Sequence, residues 1–233
     1  MNIKNMRTTK KIWMGLGLGL GLLAFANASS AAPITLYGNG FSLTYDTAQT
    51  GLFGTGALSG SLDTLYFQPT RFAAVSNGPE VSTSSSLDFT LSLDPGYRLN
   101  GIVLTERGNY TLNNGGLVDV SATLGLTAND TLGATILNLA PALPLNQVGR
   151  TSITWDMSGL LAAPASTAQV FTVTLNDTLI ADPTSGIGFI RKNYAGFSIM
   201  AAPVAVPEPS ALALLLVGAG AALWARRRRQ PVA

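Results

Sequence analysis

Cysteine and histidine are both absent from this 233-residue chain, and charged residues make up only 11% of it. Without cysteine, no disulfide or thiolate can hold the fold, so packing and backbone pairing must do so, although an extracytoplasmic setting would permit disulfides. Without histidine, the chain cannot build a Ser-His-Asp triad, a Cys-His dyad or a histidine–zinc site. A carboxylate pair of the kind glycosidases use stays open, because acids are present and sequence does not show which of them face each other. Most aspartates fall at turns or on the polar side of alternating runs, where solvation is the ordinary fate of an acid.

Positive charge is scarce in the middle of the chain. The sequence pI is about 9.0, but the cations that raise it lie at the two ends. Lys4, Arg7, Lys10 and Lys11 precede the first apolar run, and Arg226, Arg227, Arg228 and Arg229 follow the last. Between Pro33 and Ala205 stand six basic against eleven acidic residues, a net charge of −5. A mildly acidic body with scattered cations offers no stripe that could track phosphates, so nucleic acid is not an expected partner.

The N-terminus has the three parts of a secretory signal peptide: a basic start, an apolar stretch from about Ile12 to Phe25, and small residues after it. The stretch is short and glycine-rich for a membrane span. Ala26 and Ala28 suit positions −3 and −1 of a signal peptidase site, so residues 1–28 are expected to be removed. Ser29-Ser30-Ala31 is a second candidate. No twin-arginine pair is present, which favours the Sec translocon.

At the other end, Val-Pro-Glu-Pro-Ser at 206–210 leads into an Ala/Leu/Gly-rich run, expected as a transmembrane helix over 210–225, and then the four arginines of a cytoplasmic tail, 226–233. The run is slightly short for a span, but arginine side chains reach back to the interface, and their charge holds that end in the cytoplasm. The body is thereby left on the far side of the membrane, as the signal peptide also requires. Pro207, Glu208 and Pro209, the apolar run and the basic cluster, in this order and this close to the end, resemble the PEP-CTERM sorting signal. The same tail is also described as an ice-binding protein C-terminal domain, which characterises the tail and not the body. The resemblance implies an exosortase-type membrane protease as partner, processing near the Pro-Glu-Pro motif, and delivery to the cell surface or an exopolysaccharide matrix.

The body, residues 33–200, alternates with period two. Leu87, Phe89, Leu91 and Leu93 interleave with polar residues, as do Val118, Val120, Ala122, Leu124 and Leu126; Ile153, Trp155 and Met157; and Phe171, Val173 and Leu175. Turn residues such as Asn77-Gly78-Pro79, Asp94-Pro95-Gly96 and Asn113-Asn114-Gly115-Gly116 separate the runs. This predicts an all-β, antiparallel sandwich of jelly-roll or immunoglobulin-like type, with ten to twelve strands and little helix. Residues 141–149 and 159–167 read as loops, and 201–209 as a Pro-rich linker.

Trp155 alternates with core residues and is expected inside. No cofactor is expected; the acidic loops near Asp130 and from Asp177 to Asp182 are where calcium could find carboxylate and carbonyl ligands. Tyr37, Tyr45, Tyr66, Tyr97, Tyr110 and Tyr194 are available for stacking on sugars. Thr172 and Thr174 suggest an ice-binding array, though β propensity alone places threonines there. Asn109, Asn129 and Asn176 begin Asn-x-Thr triplets, frequent by chance in a threonine-rich chain. The expected function is that of a non-enzymatic surface or matrix protein. A carbohydrate-binding module anchored to exopolysaccharide and a secreted carboxylate-pair hydrolase are the alternatives.

Overall fold

In the computed structural model, residues 32–130, 133–205, 217–219, 221 and 224 are described. The body is two antiparallel six-stranded sheets packed face to face. Twelve strands make them: β1 Pro33–Tyr37, β2 Phe41–Asp46, β3 Gly56–Leu58, β4 Thr64–Phe67, β5 Ala73–Ser76, β6 Val81–Leu93, β7 Tyr97–Leu112, β8 Gly116–Ala128, β9 Ala134–Leu139, β10 Gly149–Ala162, β11 Val170–Pro183 and β12 Gly188–Pro203. One sheet runs β1-β2-β6-β11-β8-β9. The other runs β10-β7-β12-β4-β3, with β5 also on β12. Two single 3-10 turns, Thr47–Gln49 and Gly51–Phe53, are the helical content of the described body.

The alternating runs point inward as their patterns predict. Leu87, Leu91, Leu124, Leu126, Val173 and Leu175 are fully buried, and Trp155 is 3% exposed. Apolar side chains from both sheets meet in one core, the arrangement that a sheet with one dry face requires.

Two of the expected loops are partly strand. Residues 159–162 continue β10, with Gly159 opposite Leu104 and Ala162 opposite Gly101. Gly159 suggests a turn in the sequence, but here it makes room: a Cβ there would stand 2.6 Å from a Leu139 methyl. At the C-terminal end, β12 runs through Pro203, three residues into the expected linker, because Ala201, Ala202 and Pro203 pair with Leu99, Arg98 and Tyr97. Leu145, inside the expected 141–149 loop, bridges to Val118.

Candidate functional site

Three charged residues occupy positions that the strand alternation reserves for apolar ones. In β7, Glu106 follows Ile102 and Leu104 on the buried side; in β11, Asp177 follows Val173 and Leu175; in β12, Lys192 follows Gly188 and Ile190. Glu106 and Lys192 are 0% exposed and Asp177 is 2% exposed. Each sits on an interior strand. Asp177 faces in from the first sheet, between Ser85 of β6 and Ala122 of β8. Glu106 faces in from the second, between Met157 of β10 and Ala195 of β12. Lys192 lies beside Gly108 on β12, just before a bulge at Asn193 that shifts the alternation, so that Ala195 and Phe197 become the inward residues.

The three meet in the middle of the sandwich. Lys192 Nζ donates to Oε2 of Glu106 at 2.5 Å, and Nζ is in direct contact with Oδ2 of Asp177. The walls are aromatic. Nζ lies 5.4 Å from the centre of the Phe72 ring, 5.7 Å from Phe53 and 6.0 Å from Trp155. Phe53 arrives on the second 3-10 turn, which Leu52 N–H pins by donating to Ser85 Oγ at 2.9 Å. Phe72 is held where its carbonyl accepts the backbone N–H of Lys192 at 3.0 Å. Trp155 lies over Gly108, its cross-strand partner, where any Cβ would stand 2.5 Å from the indole.

Removing ions from water costs several kcal/mol apiece unless partners offset it. Burial pushes the Lys192 ammonium down from 10.5 to about 8, against the opposing pull of Glu106. Burial pushes the Glu106 carboxyl above its ordinary range, with Lys192 opposing. Asp177 Oδ1 and Glu106 Oε1 have no hydrogen bond, while Oδ2 of Asp177 has the Lys192 ammonium as its ionic partner. Buried oxygens left in this way call for an explanation.

Asp177 is therefore not part of an acidic loop: it lies inside β11, in phase with the core, because the alternation from Phe171 runs on to Ala181. Asp130 does lie in a loop, but its carboxylate accepts from Ser166 Oγ at 2.5 Å and Thr167 Oγ1 at 3.3 Å. Those bonds hold it below the usual carboxylate range. Among the described residues, no three His, Cys, Asp or Glu side chains group as a metal site. Glu106 and Asp177, which come together, have a lysine between them and are both buried.

The six tyrosines do not share a face. Tyr45 and Tyr110 are buried, and Tyr37 is 75% exposed on β1. Tyr66 and Tyr194 stack on one another at 6.2 Å, with the Arg107 guanidinium over Tyr194. The threonines are more ordered than their sequence suggests. Thr35, Thr44, Thr90, Thr172 and Thr127 stand opposite one another across β1, β2, β6, β11 and β8, on the outer face.

The residues expected to direct sorting, Pro207, Glu208, Pro209 and Arg226 to Arg229, lie outside the described residues, as do Ala26 and Ala28 of the signal cleavage site. Of the expected 210–225 helix, residues 217–219, 221 and 224 are described, and they are helical. Among the described residues, no helix is long and apolar enough to cross a membrane. The decisive observation on this end is a family match. Residues 205–229 carry the PEP-CTERM protein-sorting motif. The PEP-CTERM motif implies export, anchoring at the C-terminus and exosortase processing.

No curated protein matches the chain. Solved structures do, at low similarity. The Eiger TNF from S. frugiperda is 13% identical, over 60% of this chain and 98% of that one, with a TM-score of 0.26. An infectious bursal disease virus structure, Gt strain, is 9% identical over 76% of this chain and 59% of that one, TM-score 0.24. A carbohydrate-binding module of the β-sandwich superfamily is 9% identical over 74% and 99%, TM-score 0.23.

Proposed function

We propose that the chain is an exported cell-surface or extracellular-matrix protein, sorted through its C-terminal signal, whose β body has a structural or adhesive role and is not an enzyme. The observation that carries this reading is the sorting motif at 205–229. On this reading the Sec translocon exports the chain and signal peptidase cuts after Ala28. Residues 210–225 then hold it in the inner membrane, with the arginines on the cytoplasmic side.

Proline has a fixed φ and no N–H to donate, so on this reading a Pro-Glu-Pro segment is expected to join neither sheet nor helix. Glu208 is left as an anion just outside the membrane, a feature that an exosortase-type protease can read. Anchoring alone needs only the apolar run and the arginines. Glu208→Ala should therefore leave insertion intact, yet trap the protein uncleaved in the inner membrane. Immunoblots of fractionated native-host cells test this; equal processing and equal surface delivery of both proteins would overturn the reading.

Anchorage to exopolysaccharide is a second reading, supported by the five-threonine row on the outer face. Retention of the purified chain on exopolysaccharide from its own host tests it.

A further inference from the structure

We infer that Lys192 and Asp177 join covalently in the folded protein, through an amide between Nζ and Cγ that Glu106 promotes, stapling one sheet of the sandwich to the other. Four observations lead there. The amine and the carboxyl are in direct contact, with the carboxyl of Glu106 on the same nitrogen. All three are sealed from solvent by Phe53, Phe72 and Trp155. Asp177 Oδ1 is buried without a hydrogen bond, and the only polar partner of Oδ2 among the described residues is the Lys192 nitrogen. The three strands that carry the residues are locked in register on both sides, so the side chains meet in one fixed orientation. Intramolecular partners held in this way act at effective concentrations of about 10⁵ to 10⁸ M.

The dry site also sets the protonation that the reaction needs. Two carboxylates and one amine are neutral overall when they share two protons. That condition is met by an ammonium with one carboxylate, and equally by a free amine with two carboxylic acids. Moving between these states shifts a proton inside the cluster without changing its net charge, so burial does not oppose it as it opposes charging. The depressed ammonium of Lys192 and the raised carboxyl of Glu106 agree with that balance.

The step itself is a condensation. The lone pair of the Lys192 amine attacks Cγ of protonated Asp177, and the Nζ–Cγ bond forms. Glu106 accepts a proton from the nitrogen and returns one to the departing hydroxyl. The Cγ–O bond then breaks with its electron pair going to oxygen, and one water leaves. Glu106 ends as it began, and no oxidant, reductant or cofactor takes part. The product replaces two buried ionisable groups with a neutral amide, which removes their desolvation penalty.

The location gives the bond a use. Asp177 is on the central strand of one sheet, and Lys192 is on the last strand, β12, which leads into the sorting segment. Tension on the C-terminal end would pull first on β12, and an amide to β11 makes that strand unable to peel away.

The test is peptide mass analysis of the full chain, purified folded, then unfolded and digested with trypsin. Cleavage at Arg150 and Arg191 releases Asp177 in the peptide 151–191, separate from Lys192. The expected result is a branched species joining 151–191 to the peptide that begins at Lys192, about 18 Da lighter than the two together, with no cleavage after Lys192. Lys192→Arg and Asp177→Ala should abolish it, and Glu106→Gln should lower its yield by at least tenfold. Recovery of the two wild-type peptides unlinked from folded protein overturns the proposal, whether or not the variants fold. Undiminished linkage in Glu106→Gln overturns the role of Glu106.

Discussion

Replacing Glu106 with glutamine measures what the staple contributes. The change keeps the size of the side chain and an oxygen that can accept from Lys192, and it leaves the contact between Lys192 and Asp177 in place. It removes the group that relays the proton. Without the amide, the unfolded chain regains the freedom of a loop of about 15 residues, worth ~3 kcal/mol by loop-closure entropy. In a domain of this size each kcal/mol moves the melting temperature by about 2–4 °C, so the variant should melt about 6–12 °C below wild type. Far-ultraviolet circular dichroism with heating gives the two temperatures, and tryptic mass analysis of the same samples gives the fraction linked. A Glu106→Gln protein without the linked peptide that melts within about 2 °C of wild type would refute the reasoning, because the bond would then be present in wild type and contribute nothing.

Asp177→Ala removes the carboxyl that the proposed amide uses and leaves Lys192 beside Glu106, so its amine should titrate. Its folded value of about 8 lies below the unfolded 10.5, so between them the unfolded chain binds a proton that the folded chain does not. The Lys192 contribution to this variant's stability should be flat below about pH 8 and rise from there to about pH 10.5, read from urea midpoints; a flat or falling profile from pH 8 to 10.5 counts against it. Glu106 acts in the opposite sense and at lower pH: its raised value makes stability fall as pH climbs from 4.5 through the folded value. Gly108→Ala should cost about 3 kcal/mol or more in urea unfolding, since its Cβ would overlap the backbone carbonyl oxygen of Arg191 and stand 2.5 Å from the Trp155 ring. An unchanged midpoint would count against the close approach of both β12 and the indole to Gly108.

Much of this protein is legible along the chain. The sorting motif at 205–229 needs only composition and order, because membranes and proteases read short linear features. Leu87 to Leu93 and Val118 to Leu126 declare their strands and their buried faces, since period two is a local property of extended backbone. Trp155 falls in the core for the same reason. A trace of the buried cluster was also present: Glu106, Asp177 and Lys192 each interrupt an apolar register. In β11 that interruption reads as an acidic loop up to Asp182, because aspartate is commonest where water is. In β12 the bulge at Asn193 hides the phase of Lys192.

What the sequence by itself determined was the strand pattern, the dry faces and the sorting motif at 205–229. Only the tertiary structure decided that three charges from β7, β11 and β12 meet at one point. Their meeting depends on which strands neighbour which, and on two sheets closing over each other across segments far apart in the chain. Alternation specifies the face that a side chain takes but not its partner on the opposing sheet. The partner is set when the whole apolar interior packs at once, and here that packing excludes water from a lysine and two carboxyls together.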